Sequence, residues 1–168
     1  VASTDNIRTN TNATFLQNIN VGVAITAGKL GIGFTDSNVK VGNTALDSLT
    51  TGTHNTAVGD ASLTAVTTGS HNVAVGRNAL NANTTGALNV AIGSDALEAN
   101  TTASENTSVG VESLENNQTG QQNCAFGFRA LEDNNANHNT ALGHEALKEN
   151  STGTEDETGF GVKTSFSF

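Results

Sequence analysis

Three of the four histidines, His54, His71 and His138, stand immediately before an asparagine, and the first two are 17 residues apart. Imidazoles presented at a regular interval are the groups that bind transition metals or move protons near neutral pH. The same slot holds Leu88, Glu105 and Gln122 elsewhere, and His144 follows a glycine in another variable slot, so the histidines read as surface residues. No metal ligand set is expected within one chain, although rows of His on associated copies could approach one another. Acids recur just past a row of leucines, at Asp47, Glu98, Glu115, Glu132 and Glu149. Like charges stacked about 5 Å apart repel, which predicts a solvated edge holding cations weakly at most. Hydroxyls recur as pairs, Thr50-Thr51, Thr67-Thr68, Thr84-Thr85 and Thr101-Thr102, and turn chemistry before a glycine accounts for them. No Ser, His and acid stand apart as a unique constellation, and catalysis needs a singular site. The reading is of no enzyme, no catalytic residues and no cofactor.

What positions these groups is a repeat. Gly42, Gly59, Gly76, Gly93, Gly110 and Gly127 are each 17 residues apart, and each closes a word such as Asn72-Val73-Ala74-Val75-Gly76. Gly143 and the worn Gly161 follow at 16 and 18, so one corner of the unit tolerates a small change in length. Three structural columns result. The asparagines are Asn55, Asn72, Asn89, Asn106, Asn123 and Asn139, with Asn38 opening the series, and the leucines are Leu46, Leu63, Leu80, Leu97, Leu114, Leu131 and Leu147. The glycines form the third. A unit of this size is too short for the helical repeats and suits one coil of a parallel β-solenoid with two short strands and two turns. Gly supplies a positive-φ corner, Thr-Gly at 51–52, 68–69, 85–86, 119–120 and 152–153 supplies the second turn, and Val or Ile, Leu and Ala line the inside. The Asn amide is expected to satisfy backbone groups that the strand ladder leaves open.

Composition agrees. Apolar residues are 35% of the chain and aromatics 4%, with no Trp, Tyr, Met or Pro, so a bulky core cannot be assembled. A narrow interior leaves apolar surface outside unless copies associate, and a threefold homotrimer is the economical solution. The formal net charge is −9. Residues 93 to 168 hold twelve acids and three bases, whereas the acids and bases of residues 1 to 92 cancel. Clustered Lys and Arg, which phosphate binding requires, are missing, so nucleic acid is not an expected partner. No apolar stretch approaches the length of a membrane span, and no charged and apolar leader opens the sequence. Cys124 is the single cysteine and takes a slot that Val or Thr fills elsewhere. Sequons at Asn12, Asn83, Asn100, Asn106, Asn117 and Asn150 follow from the abundance of Asn and Thr.

The stretch Thr50-Thr51-Gly52-Thr53-His54-Asn55-Thr56-Ala57-Val58-Gly59 resembles the head repeats of trimeric autotransporter adhesins, left-handed parallel β-rolls, with about three extra residues per repeat here. The longer word, running from one Gly through Ala-Leu and Thr-Thr-Gly to Asn-Thr-Ala-Val-Gly, is similar to repeats in bacteriophage tail fibres and large-virus surface proteins. Ala27-Gly28-Lys29-Leu30-Gly31-Ile32-Gly33-Phe34-Thr35 is similar to a segment common in such fibres. The resemblance covers residues 27 to 161 and implies a homotrimeric, non-catalytic structural and adhesive element on a virion, cell surface or other extracellular fibre, attaching to a host receptor of glycan or protein. Two other likenesses are weaker. Thr columns on solenoids also serve some ice-binding proteins, and Val58-Gly59-Asp60-Ala61-Ser62 resembles one rung of the left-handed β-helix acyltransferases, which use three rungs per coil.

The expected organisation is an all-β, β-roll-like parallel solenoid over residues 38–161. An N-terminal strand region or cap precedes it (1–37) and a C-terminal cap follows it (162–168). Phe160, Phe166 and Phe168 form a closing plug or a receptor-contacting tip.

Overall fold

The computed structural model describes residues 37–150 and 158–161, all within one compact unit, Gly31–Phe168. The expected N-terminal cap up to residue 36, the expected C-terminal cap with Phe166 and Phe168, and Thr152-Gly153 lie outside the described residues.

Each coil contributes one three-residue strand. These are β1 (Val39–Val41), β2 (Thr56–Val58), β3 (Val73–Val75), β4 (Val90–Ile92), β5 (Thr107–Val109), β6 (Cys124–Phe126), β7 (Thr140–Leu142) and β8 (Thr158–Phe160). They form a single parallel sheet in sequence order, which makes about seven turns of a β-solenoid at about 17 residues per coil. Partners in register are repeat equivalents, such as Val73 with Val90, Ala74 with Ala91 and Val75 with Ile92. Like therefore stacks on like.

The expected second strand is replaced by a run of turns with its own ladder. Its residues alternate in hand: Asn78 has φ 55° and Leu80 φ 52°, and the pattern recurs at Asp95 and Leu97 and at Glu112 and Leu114. Left-handed backbone costs an L residue roughly 1–2 kcal/mol and cannot be part of an extended strand. What offsets the cost is hydrogen bonding in both directions. The Asn78 amide donates back to Asp60 O at 3.0 Å, and the Leu80 amide donates forward to Ala96 O at 3.0 Å. The glycine corner is as expected, with Gly76 at φ 138°, and a Cβ there would also lie 2.3 Å from Gly93 O.

The interior differs from expectation in what it contains. In β2 to β7 the central residue points inward and is small: Ala57, Ala74, Ala91, Ser108, Ala125 and Ala141 are all buried. Against them pack the Leu row and the Ala or Ser before each Leu. The Val and Ile assigned to the inside flank the inward residue, and side chains alternate along a strand, so they face out. The core is a thin seam of Ala and Leu beside two adjacent columns of buried asparagine that share backbone carbonyls.

The first column is the expected one. Asn72 Oδ1 accepts the Asn89 amide at 3.0 Å, and Asn72 Nδ2 donates to Gly86 O at 2.9 Å. The same pair of bonds recurs from coil to coil, as with Asn89 Oδ1 to the Asn106 amide and Asn89 Nδ2 to Ala103 O. The second column, Asn83, Asn100, Asn117, Asn134 and Asn150, is buried at the Thr-Gly turn beside the first, and Asn83 Nδ2 shares Gly86 O with Asn72 Nδ2. There Asn117 Nδ2 donates to Gly120 O at 2.9 Å while Asn117 Oδ1 accepts the Gly120 amide at 3.0 Å, tying a tight loop shut. The residue lost between Gly127 and Gly143 is lost at this corner. Asn135 Oδ1 stands in for the missing carbonyl by accepting the amides of Gln118 (2.8 Å) and Thr119 (3.4 Å).

Candidate interaction surface

The outward residues of the strands make one continuous face. On one edge run Val39, Thr56, Val73, Val90, Thr107, Cys124 and Thr140, and on the other run Val41, Val58, Val75, Ile92, Val109, Phe126, Leu142 and Phe160. No charged side chain interrupts either row. The second row is well exposed: Val41 is 43% exposed, Ile92 and Phe126 each 41%, Leu142 52% and Phe160 67%. Val111 and Phe128, in the slot after the glycine, are exposed as well. At 4.8 Å per coil over seven intervals the strand face is a strip of roughly 300–400 Å². That matches the largest apolar patch found on a typical monomer, a kind of patch that is often functional. Phe160 stands in register with Leu142 and so continues this row.

Histidines 54, 71 and 138 occupy an exposed row beside this face, and the row has a backbone reason for its composition. His54, His71 and His138 have φ of 58–60°, and His is among the few residue types enriched in left-handed geometry. The rings of His54 and His71 stack at 4.7 Å with planes 2° apart. Farther along, Gln122 Nε2 donates to Glu105 Oε2 at 2.8 Å, and Gln122 Oε1 meets His138 Nε2 at 2.5 Å. His144 lies elsewhere, 5.2 Å from the Phe128 ring.

The acidic row is more enclosed than a solvated edge. Glu98, Glu115 and Glu132 are half-buried and follow their leucines, but the slot after Leu147 holds Lys148. The residue lost one coil earlier does not shift that alignment, so Glu149 falls one column over, level with Asp133. Burial, with the nearby charge of Asp95, raises the pKa of Glu98. Glu115 is raised by burial and then by Glu112, Glu132, Glu98 and Asp95. Asp95 goes the other way. Burial acts against its charged form, but hydrogen bonds from Ser94 and Asn78 and the charge of Arg77 outweigh it and lower the pKa. Among the described residues, Glu112, Glu115 and Glu132 are the one group of three potential ligands, with carboxylate oxygens within 4.8 Å of one another. Cations of the chain already sit there. Arg129 Nε is 2.5 Å from Glu112 Oε2, and Glu132 Oε2 lies 3.6 Å from Arg129 Nε and 3.5 Å from Lys148 Nζ.

The Thr pairs divide their labour. Thr50, Thr67, Thr84 and Thr101 turn their hydroxyls to the carbonyl one coil on, as Thr84 Oγ1 does to Thr101 O at 3.0 Å. Thr51, Thr68, Thr85 and Thr102 remain exposed in single file. In the rung that resembles the acyltransferases, Ser62 is buried and its hydroxyl donates to Gly59 O at 3.1 Å. Cys124 is half-buried on the strand face.

No helix among the described residues is long and apolar enough to cross a membrane. The left-handed Leu column, the second Asn column and the outward phase of the Val row are the features that the sequence did not reveal. Of these, only the second Asn column left a direct signal, in Asn83, Asn100 and Asn117 at the repeat spacing. Comparison of the chain with protein-family models, curated proteins and solved structures finds no match.

Proposed function

We propose that the solenoid is a structural and adhesive fibre element that works as a homotrimer, its copies joined through the outward strand face. The observation that carries this reading is the placement of the large aliphatic and aromatic side chains. A chain with so little apolar material puts Ala or Ser inside β2 to β7 and leaves Val, Ile, Phe and Leu on the surface, in unbroken uncharged rows. Burying such side chains contributes roughly 25 cal/mol per Å² of apolar area, and a second copy is the partner with a matching row at the same rise per coil. The setting, a phage tail fibre or similar virion or cell-surface fibre that attaches to a glycan or protein receptor, comes from the resemblance of the repeat words.

A stable interface buries about 800 Å² per partner. The strip alone is smaller than that. Association is therefore expected to be concentration-dependent for this many coils and to tighten when Val111 and Phe128 join the contact. The test is solution mass by sedimentation or light scattering at several concentrations: a mass rising toward three chains supports the proposal, and a monomer at every concentration overturns it. A second reading, ice binding, draws on the exposed file Thr51, Thr68, Thr85 and Thr102. Thermal hysteresis from a monomer would favour it.

A further inference from the structure

We propose that N-linked glycosylation and folding are mutually exclusive in this chain, because five of its six acceptor asparagines are built into the wall of the solenoid. Asn83, Asn100, Asn106 and Asn117 are fully buried, and Asn150 is 7% exposed. The nitrogen that would carry the sugar is in use at each one. Asn83 Nδ2 donates to Gly86 O at 3.0 Å, Asn100 Nδ2 to Ala103 O at 3.1 Å and Asn106 Nδ2 to Gly120 O at 3.0 Å. Asn117 Nδ2 donates to Gly120 O at 2.9 Å and Asn150 Nδ2 to Asn134 Oδ1 at 3.3 Å. The sixth, Asn12, lies outside the described residues.

The chemistry needs that nitrogen free. In the transfer, Nδ2 attacks C1 of an oligosaccharide carried on a lipid diphosphate. A carbon–nitrogen bond forms as the carbon–oxygen bond to phosphate breaks, the lipid diphosphate leaves with the electron pair, and one amide proton passes to the enzyme. The product nitrogen keeps one hydrogen and bears a sugar that has no space in a closed coil. A folded chain therefore presents none of the five to the transferase. A chain modified first cannot close the corner, because the glycan sits where the neighbouring coil must stack. Unfolded, the same five are ordinary Asn-x-Ser/Thr acceptors. The protein must then reach its fold where no such transferase acts on the nascent chain, as in a bacterial cytosol. This inference stands whether or not the copies form trimers.

The test is translation of the full chain into microsomes behind a secretory leader, in a Thr14→Ala background that silences Asn12. Molecules bearing endoglycosidase-sensitive mass are expected to be digested by protease, while glycan-free molecules from the same preparation leave a resistant core. A second variant removes the five acceptor sequences but keeps every asparagine: Thr85→Ala, Thr102→Ala, Ser108→Ala, Thr119→Ala and Thr152→Ala. Ala already fills the slot of Ser108 in other coils, at Ala57, Ala74, Ala91, Ala125 and Ala141. This variant, shown first to give the core when made without a leader, should give it in microsomes too. A glycan on any of the five within a resistant core would overturn the proposal. So would a translocated parent population in which no molecule carries a glycan, or a leader-bearing second variant that fails to form the core.

Discussion

The two faces of the strands are made of opposite materials. Inward, Ala74 and Ala91 are buried and small, while outward, on the same strands, Val75 and Ile92 are larger and in contact with solvent. In most sheets with one wet face the larger apolar residues are the buried ones. The inversion shows that the coil is not closed by hydrophobic bulk. It is closed by Leu, by small residues that let adjacent coils approach, and by asparagines that satisfy the backbone, so the larger side chains outside are left over for another task.

The contrast can be broken most severely from within. Gly93→Val places a Cβ about where Gly110 O lies, 2.3 Å away, in backbone at φ 139°. It should cost about 4 kcal/mol or more and abolish the cooperative melt followed by circular dichroism. Asn89→Ala strands the Asn106 amide, a loss of about 1–3 kcal/mol, while Ala103 O keeps the Asn100 Nδ2 donor, and it should lower the melting temperature without changing the strand content of molecules that still fold. From outside, the triple change Val75→Ser, Ile92→Ser and Val109→Ser should leave the melt of the coil within about 1.5 kcal/mol of the parent and remove concentration-dependent mass in sedimentation. A triple variant that unfolds would erase the distinction between the faces.

Smaller effects sharpen it. Glu98 and Glu115 are raised in the folded state, so each contributes stability that is fully present below the ordinary glutamate range and is lost as pH rises through its folded value. Asp95 is lowered, and its contribution is present above the ordinary aspartate range and lost as pH falls through its folded value. Glu115→Gln should therefore raise the melting temperature more at about pH 7 than at about pH 4. An equal rise at both would show that Glu115 is not charged against its neighbours. Least of all, Leu88→Asn should gain about 1 kcal/mol in chemical denaturation, because Leu88 is exposed at φ 60°, a geometry that asparagine tolerates better.

How legible this was depends on whether a residue's type has one meaning. Gly76 and Asn72 could be read directly, since a recurring glycine signals backbone geometry and a recurring asparagine before a strand signals amide satisfaction. Val75 could not. Alternation along Val73-Ala74-Val75 fixes that the valines share a face but not which face, and side-chain size, the remaining guide to the phase, is the criterion that this fold inverts. Asn83 and Asn100 were hidden because Leu49 and Val66 fill their column in the first coils, so the slot looked unconstrained. Leu80 in left-handed backbone was out of reach for any propensity argument, since leucine favours neither that geometry nor turns. Glu149 resembles a member of the acid row by nearness to a leucine, but the ladder gives the slot to Lys148, whose carbonyl accepts the Asp133 amide at 2.9 Å.

The hydrogen-bonded register of one coil with the next has an evolutionary corollary. Each coil touches only its two neighbours, and equivalent positions accept one another's side chains, so excising or duplicating a single unit rejoins surfaces that already fit. Reach can then be adjusted in steps of about 4.8 Å by slippage in the gene alone, without inventing a new contact. The inward Lys40 of the first strand, held by Asp47 at 2.7 Å, is a mark that such copying did not cross.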